Sequence, residues 1–163
     1  MTEDFIQLEK KDLLRLQIKR ENGESTGEVL EFNLADIELP LKYQELLEKD
    51  KKNKENLRNL MLIIDKREDV KGKKLLTKNE EDKIKAINEF LKRETEVYNM
   101  FLGENGVQKL LDGEKLSWDS LYTIDKIIEK QILPKLQLSM GKITEKIKAK
   151  YAEAVERNKE LLK

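Results

Sequence analysis

Residues 13–34, "LLRLQIKRENGESTGEVLEFNL", decide whether this chain is wholly helical. From Leu14 to Lys19 apolar and polar side chains alternate, which places Leu14, Leu16 and Ile18 on one face of an extended segment. A second alternation over residues 28–34 places Leu30, Phe32 and Leu34 on one face. Between them, "RENGESTG" holds Asn22-Gly23 and Gly27, residues that take left-handed conformations in a turn. These signals predict a β-hairpin with one apolar face. Two strands alone are marginal in water, so the hairpin must pack on helices or pair its edges with another chain.

Every apolar pattern downstream has helical spacing. Leu39, Tyr43, Leu46, Leu47, Leu57, Leu60, Met61 and Ile64 recur at intervals of three and four, predicting a helix from Pro40 to about Glu68. Pro40 suits a first turn, where a missing N–H has no intrahelical partner to lose. The stretch "KDKKNKEN", residues 49–56, offers nothing apolar and is expected to project into solvent or to break the helix in two. After the loop "DVKGKK", Thr77 and Glu80 have capping-box spacing, and Ile84, Ile87, Phe90, Leu91, Val97, Tyr98 and Phe101 follow on one face as far as Gly103. Ser117 can cap a further helix carrying Trp118, Leu121, Ile124, Ile127 and Ile128, and Pro134 predicts a kink or break beyond it. The fold class is therefore α+β and predominantly α, an N-terminal β-hairpin followed by four or five helices.

The last pattern is the narrow stripe Met140, Ile143, Ile147, Tyr151, Ala154 and Val155, with no later segment of the sequence to cover it. It either folds back to finish the core or binds another protein by coiled-coil pairing or helix-in-groove docking. The organisation expected is a hairpin-plus-helical-core domain over 1–135 and a C-terminal helix over 136–163 that extends or oligomerises the protein.

Composition narrows the chemistry. Apolar residues are 38% and charged residues 40%, the look of amphipathic helices with charged outer faces around a thin core. The 33 basic and 33 acidic residues cancel, so no global field draws the chain to nucleic acid or to an anionic membrane. Absence of cysteine removes disulfides, thiolate metal sites and cysteine nucleophiles; absence of histidine removes serine–histidine triads and most zinc sites. The first residues, "MTEDFIQLEKKDLL", lack the pattern of a secretory signal, and no run of about eighteen apolar residues occurs. A soluble, intracellular protein is expected.

Three weaker motifs read as structural. "VKGKKLLT" lacks the first glycine and the hydroxyl of a phosphate-binding loop, Arg67 and Lys74 standing in those places. The acidic groups Asp65, Glu68 and Asp69 and Glu80, Glu81 and Asp82 lack calcium-loop spacing and sit beside lysines on helix faces. With aromatic content at 6%, Trp118 reads as a packing residue rather than a sugar platform. No catalytic, cofactor-binding or metal-binding residues are assigned, and no enzymatic activity is expected.

Residues 98–114, "YNMFLGENGVQKLLDGE", resemble the tail assembly chaperones of long-tailed phages and prophages of Gram-positive bacteria. Members often carry an aromatic residue and a glycine, a short Gly-Glu-Gly-like turn, a small helix and a second glycine. The matching positions are Phe101, Gly103, Glu104, Gly106, Leu110, Leu111 and Gly113. The order of hairpin, long charged helices, glycine-bracketed turn, a helix ending in "ILPK" and a charged C-terminal helix is similar over residues 13–150. Leu102, Asn105 and Leu111 depart from the pattern, the last standing where a second aromatic is common.

The resemblance implies a non-enzymatic chaperone that binds the tape-measure protein, keeps its long apolar helices soluble and recruits tail-tube subunits. It implies action in the host cytoplasm, absence from the mature virion, no cofactor, and in many members a longer form made by ribosomal frameshifting. On this reading the stripe Met140, Ile143, Ile147, Tyr151 and Val155 contacts the partner. The alternative is a structural or adaptor virion protein, or a helical scaffold that uses the same stripe to form homo-oligomers.

Overall fold

The computed structural model describes residues 3–7, 12–71 and 75–162. Strands β1 (Leu13–Lys19) and β2 (Ser25–Asn33) form a two-stranded antiparallel sheet in which Leu14 lies opposite Phe32 and Leu16 opposite Leu30. Leu14, Leu30 and Phe32 are buried, and Leu16, Ile18 and Leu34 pack partly against them, as the alternation requires. The turn itself is shorter than expected: Arg20 N donates to Glu24 O at 2.8 Å, and Gly23, with φ +86°, donates to Arg20 O at 2.9 Å. Gly27 lies within β2, where its φ of +81° coincides with the register irregularity opposite Gln17–Lys19. It serves a bulge in the strand rather than the turn.

Helix α1 (Glu38–Lys66) begins where Asp36 Oδ1 accepts from Glu38 N at 2.9 Å and carries Pro40 in its first turn. The polar stretch 49–56 neither breaks it nor lies wholly in solvent, since Asp50 and Asn53 are turned partly inward. Helix α2 (Lys78–Leu102) opens on the expected capping box of Thr77 and Glu80 and packs along α1. The short helix α3 (Gly106–Leu110) follows, and α4 (Trp118–Ile127) starts from a Ser117–Ser120 capping box.

Pro134 does not end the helical path. Ile127, Ile128 and Leu133 keep right-handed helical dihedrals, and α4 runs through a π turn at Ile128–Ile132 into α5 (Leu133–Leu161). Proline has no N–H and its ring crowds the carbonyl four residues back; the wider turn changes the pairing at that point and lets the helix continue.

The core gathers one face from each element. Leu14, Leu30 and Phe32 of the hairpin, Leu39 and Leu46 of α1, Phe90, Val97 and Phe101 of α2, and Ile124, Ile128, Ile132 and Leu136 of the last helical path form one cluster. The Phe101 ring lies 5.7 Å from that of Phe32 and 5.4 Å from that of Tyr43, joining hairpin, α1 and α2 at one point.

Candidate functional site

The glycine-bracketed turn is a compact corner. Gly103, with φ +100°, ends α2 and donates to Asn99 O at 2.9 Å. Asn105 stands in the left-handed region at φ +56° and leads into Gly106, which is buried against α2. A side chain at 106 would meet Leu102 Cβ at 2.5 Å, so glycine is needed here for closeness. Asn99 completes the corner: its Oδ1 accepts from Val107 N at 2.8 Å and its Nδ2 donates to Gln108 Oε1 at 3.1 Å. Phe101 and Val107 are buried, Leu110 and Leu111 pack at the margin of the core, and Gly113, at φ +84°, turns the chain away. Arg20 in the hairpin donates to both carboxylate oxygens of Asp112, at 2.8 and 3.4 Å, tying the tip of the sheet to this corner. The expected turn residues thus meet in one place, though most face the core rather than a ligand.

The stripe on α5 is placed differently. Leu136 is buried and Ser139, 6% exposed, donates from Oγ to Leu34 O at 2.8 Å. Beyond Ser139 no described residue of the helix is buried. Ile147 is 62% and Tyr151 73% exposed, with Met140 also open and Ile143 and Val155 partly so. Of the two expectations, folding back onto the core is not what the helix does.

A third feature escaped the sequence reading. Glu94 is fully buried in the middle of α2, and Asn53 Nδ2 donates to its Oε1 at 3.1 Å. Lys54 Nζ lies 3.0 Å from Asp50 Oδ2. Tyr98 donates its hydroxyl to Asp125 Oδ1 on α4. Burial, then the neighbouring Asp50, pushes the Glu94 carboxyl up to about 8. Burial likewise raises Asp125 and, together with Asp125, the Tyr98 phenol. This network joins α1, α2 and α4 through their interior faces.

An apolar groove of about 410 Å³ lies between the C-terminal half of α1 and the N-terminal half of α2, lined by Leu57, Leu60, Ile64 and Phe90 among others. Trp118 stands beside it, 58% exposed, its ring 5.8 Å from that of Phe90. The acidic groups at the α1–α2 junction are engaged locally: Arg67 and Lys78 bind Asp82 at 2.9 and 3.3 Å, Lys83 binds Asp65, and Asp69 Oδ1 accepts from Val70 N and Asn79 N. These contacts brace the junction, a more specific role than a solvated face. Among the described residues no group of three or more acidic side chains is arranged to hold a metal ion. The Gly72-Lys73 pair considered for phosphate binding lies outside the described residues. No described helix is long and apolar enough to cross a membrane.

Comparison with known proteins gave no match to a family model, to a curated protein or to a solved structure.

Proposed function

We propose that the chain is a non-enzymatic assembly chaperone of a phage tail, holding apolar helices of the tape-measure protein until tail-tube subunits are recruited around it. The observation that carries this reading is the course of α5: fixed to the body by Leu136 and Ser139, it then presents Met140, Ile147 and Tyr151 uncovered by any other described residue. A helix so held offers a preformed apolar seam at little ordering cost, which suits reversible capture of another helix. The turn at residues 99–114 supports the reading through its resemblance, and its side chains serve the fold that carries α5. On this proposal the protein acts in the host cytoplasm and leaves before the virion is complete.

Coexpression with a tape-measure protein from the same genome tests the proposal. A soluble complex that dissociates when Ile147 and Tyr151 are changed to serine is expected. Failure of two folded proteins to associate at micromolar concentration would count against it. Recovery of the chain in purified virions would favour the structural or adaptor alternative.

A further inference from the structure

Charge on α5 is sorted by face. Successive residues turn about 100° around a helix, so Met140, Ile143, Ile147, Tyr151 and Val155 define a seam whose borders can be read directly. Lys146, Lys150 and Arg157 border one side of it and Lys148 and Lys159 the other. Glu145, Glu153, Glu156 and Glu160 all fall toward the back of the helix, with Lys142 among them. Among the described residues one ion pair links border and back, Lys159 to Glu156 at 3.7 Å, and both partners are exposed. The body of the protein distributes its charge otherwise, with acidic and basic side chains paired at helical spacing on the same faces, as in Lys49–Glu45, Lys85–Glu81 and Lys92–Glu89.

Resting on the reading of α5 as the partner-binding face, we infer that its occupant is an amphipathic protein helix whose apolar face is bordered by aspartate or glutamate. Carboxylates on both borders would meet the five cations while the apolar side chains interdigitate along the seam. A second copy of α5 is a poor occupant, because pairing in either direction brings two cationic borders together. A lipid surface fits less well. The seam is about one residue wide per turn and carries Thr144 and Asn158, whereas a helix lying in a bilayer interface needs a broad apolar face.

Two synthetic helical peptides with the same leucine seam, one bordered by glutamates and one by lysines, test the inference by fluorescence anisotropy against the full chain. The acid-bordered peptide is expected to bind, to weaken as salt rises, and to exceed the lysine-bordered one by about tenfold or more in affinity. A Lys146→Glu/Lys150→Glu double variant, whose substitutions lie beyond the buried part of α5 and leave the circular dichroism unchanged, is expected to weaken that preference several-fold, since Lys148, Arg157 and Lys159 remain. Equal binding of the peptides, binding by neither, or indifference to the double variant overturns the inference. So does a stable dimer in sedimentation that Ile147→Ser dissolves, or capture by phosphatidylglycerol vesicles without peptide binding. If the tape-measure protein forms no complex but the acid-bordered peptide binds and loses its advantage in the double variant, the functional proposal fails and the chemistry of the seam stands. A tape-measure complex indifferent to salt and to the double variant gives the converse.

Discussion

The carboxyl groups of Glu94 and Asp50 face each other between α2 and α1, and Glu94 Oε2 and Asp50 Oδ1 have no other hydrogen-bond partner among the described residues. One proton held between them satisfies both oxygens, where two buried anions would repel. Asn53 donates to the outer oxygen of Glu94 and Lys54 to that of Asp50, so the pair is fully partnered when it shares that proton. Tyr98 and Asp125 lie alongside.

This arrangement sets the pH response. The folded carboxyl of Glu94 titrates near 8 against an ordinary 4.5, so between these values the folded chain keeps a proton that the unfolded chain releases. The stabilisation is complete below the ordinary value and is lost as pH rises through the folded one. Urea unfolding from pH 5 to 9 should show stability falling by about 1.4 kcal/mol per pH unit at its steepest. Glu94→Gln, whose amide can donate to Asp50 and still accept from Asn53, should flatten that slope. Glu94→Leu should destabilise by about 1–3 kcal/mol near pH 5 through the partners it strands.

Phe101 joins three elements through two aromatic contacts. Phe101→Ala is expected to cost about 3–5 kcal/mol, a large share of the stability of a domain of this size. Urea unfolding at pH 6 measures it, with an exposed substitution such as Lys92→Ala as the near-neutral reference.

At Gly106 the constraint is distance rather than dihedral. A methyl group there would stand 2.5 Å from Leu102 Cβ, against the backbone end of a helix residue that cannot swing away. Gly106→Ala should therefore cost about 1–3 kcal/mol, and a lowered thermal midpoint should accompany it.

Serine at Ile147 and Tyr151 should do the opposite. Both side chains are exposed beyond the last buried residue of α5, so the unfolding free energy should change by no more than about 0.5 kcal/mol. The partner complex should nevertheless be lost, which separates a binding defect from a folding defect in the same experiment.

The readable parts of the fold were those whose signals are local. Alternation over Leu14–Ile18 and Leu30–Leu34 located the sheet and its buried face, Thr77 with Glu80 located the start of α2, and Gly103 located its end. Gly27 misled because a left-handed glycine marks either a turn or a bulge, and only strand pairing distinguishes them. Composition hides the interior polar network, because charged side chains on a helix ordinarily face solvent. Spacing could have found it: Leu46, Asp50, Asn53 and Leu57 continue one face of α1 at intervals of four, three and four, as Phe90, Glu94, Val97 and Phe101 do on α2. A polar residue that keeps phase with buried neighbours lies between them, whatever its charge. The exposure of the α5 seam was legible only as one of two outcomes, since periodicity tells which residues share a face and not what that face meets.

The π turn at Ile128–Ile132 works as a rotational index for α5. One residue more than an α-helical turn advances everything downstream by about 100° around the helix axis. At this setting Leu136 is buried in the core and Ser139 reaches Leu34 just after β2, and the azimuth of the seam beyond them is fixed by the same increment. Direction and chemistry of the seam are thus encoded separately, one in a single extra residue beside Pro134 and the other in the part of α5 that follows Ser139. Deleting one residue from the π turn would re-aim the arm without altering any side chain on it.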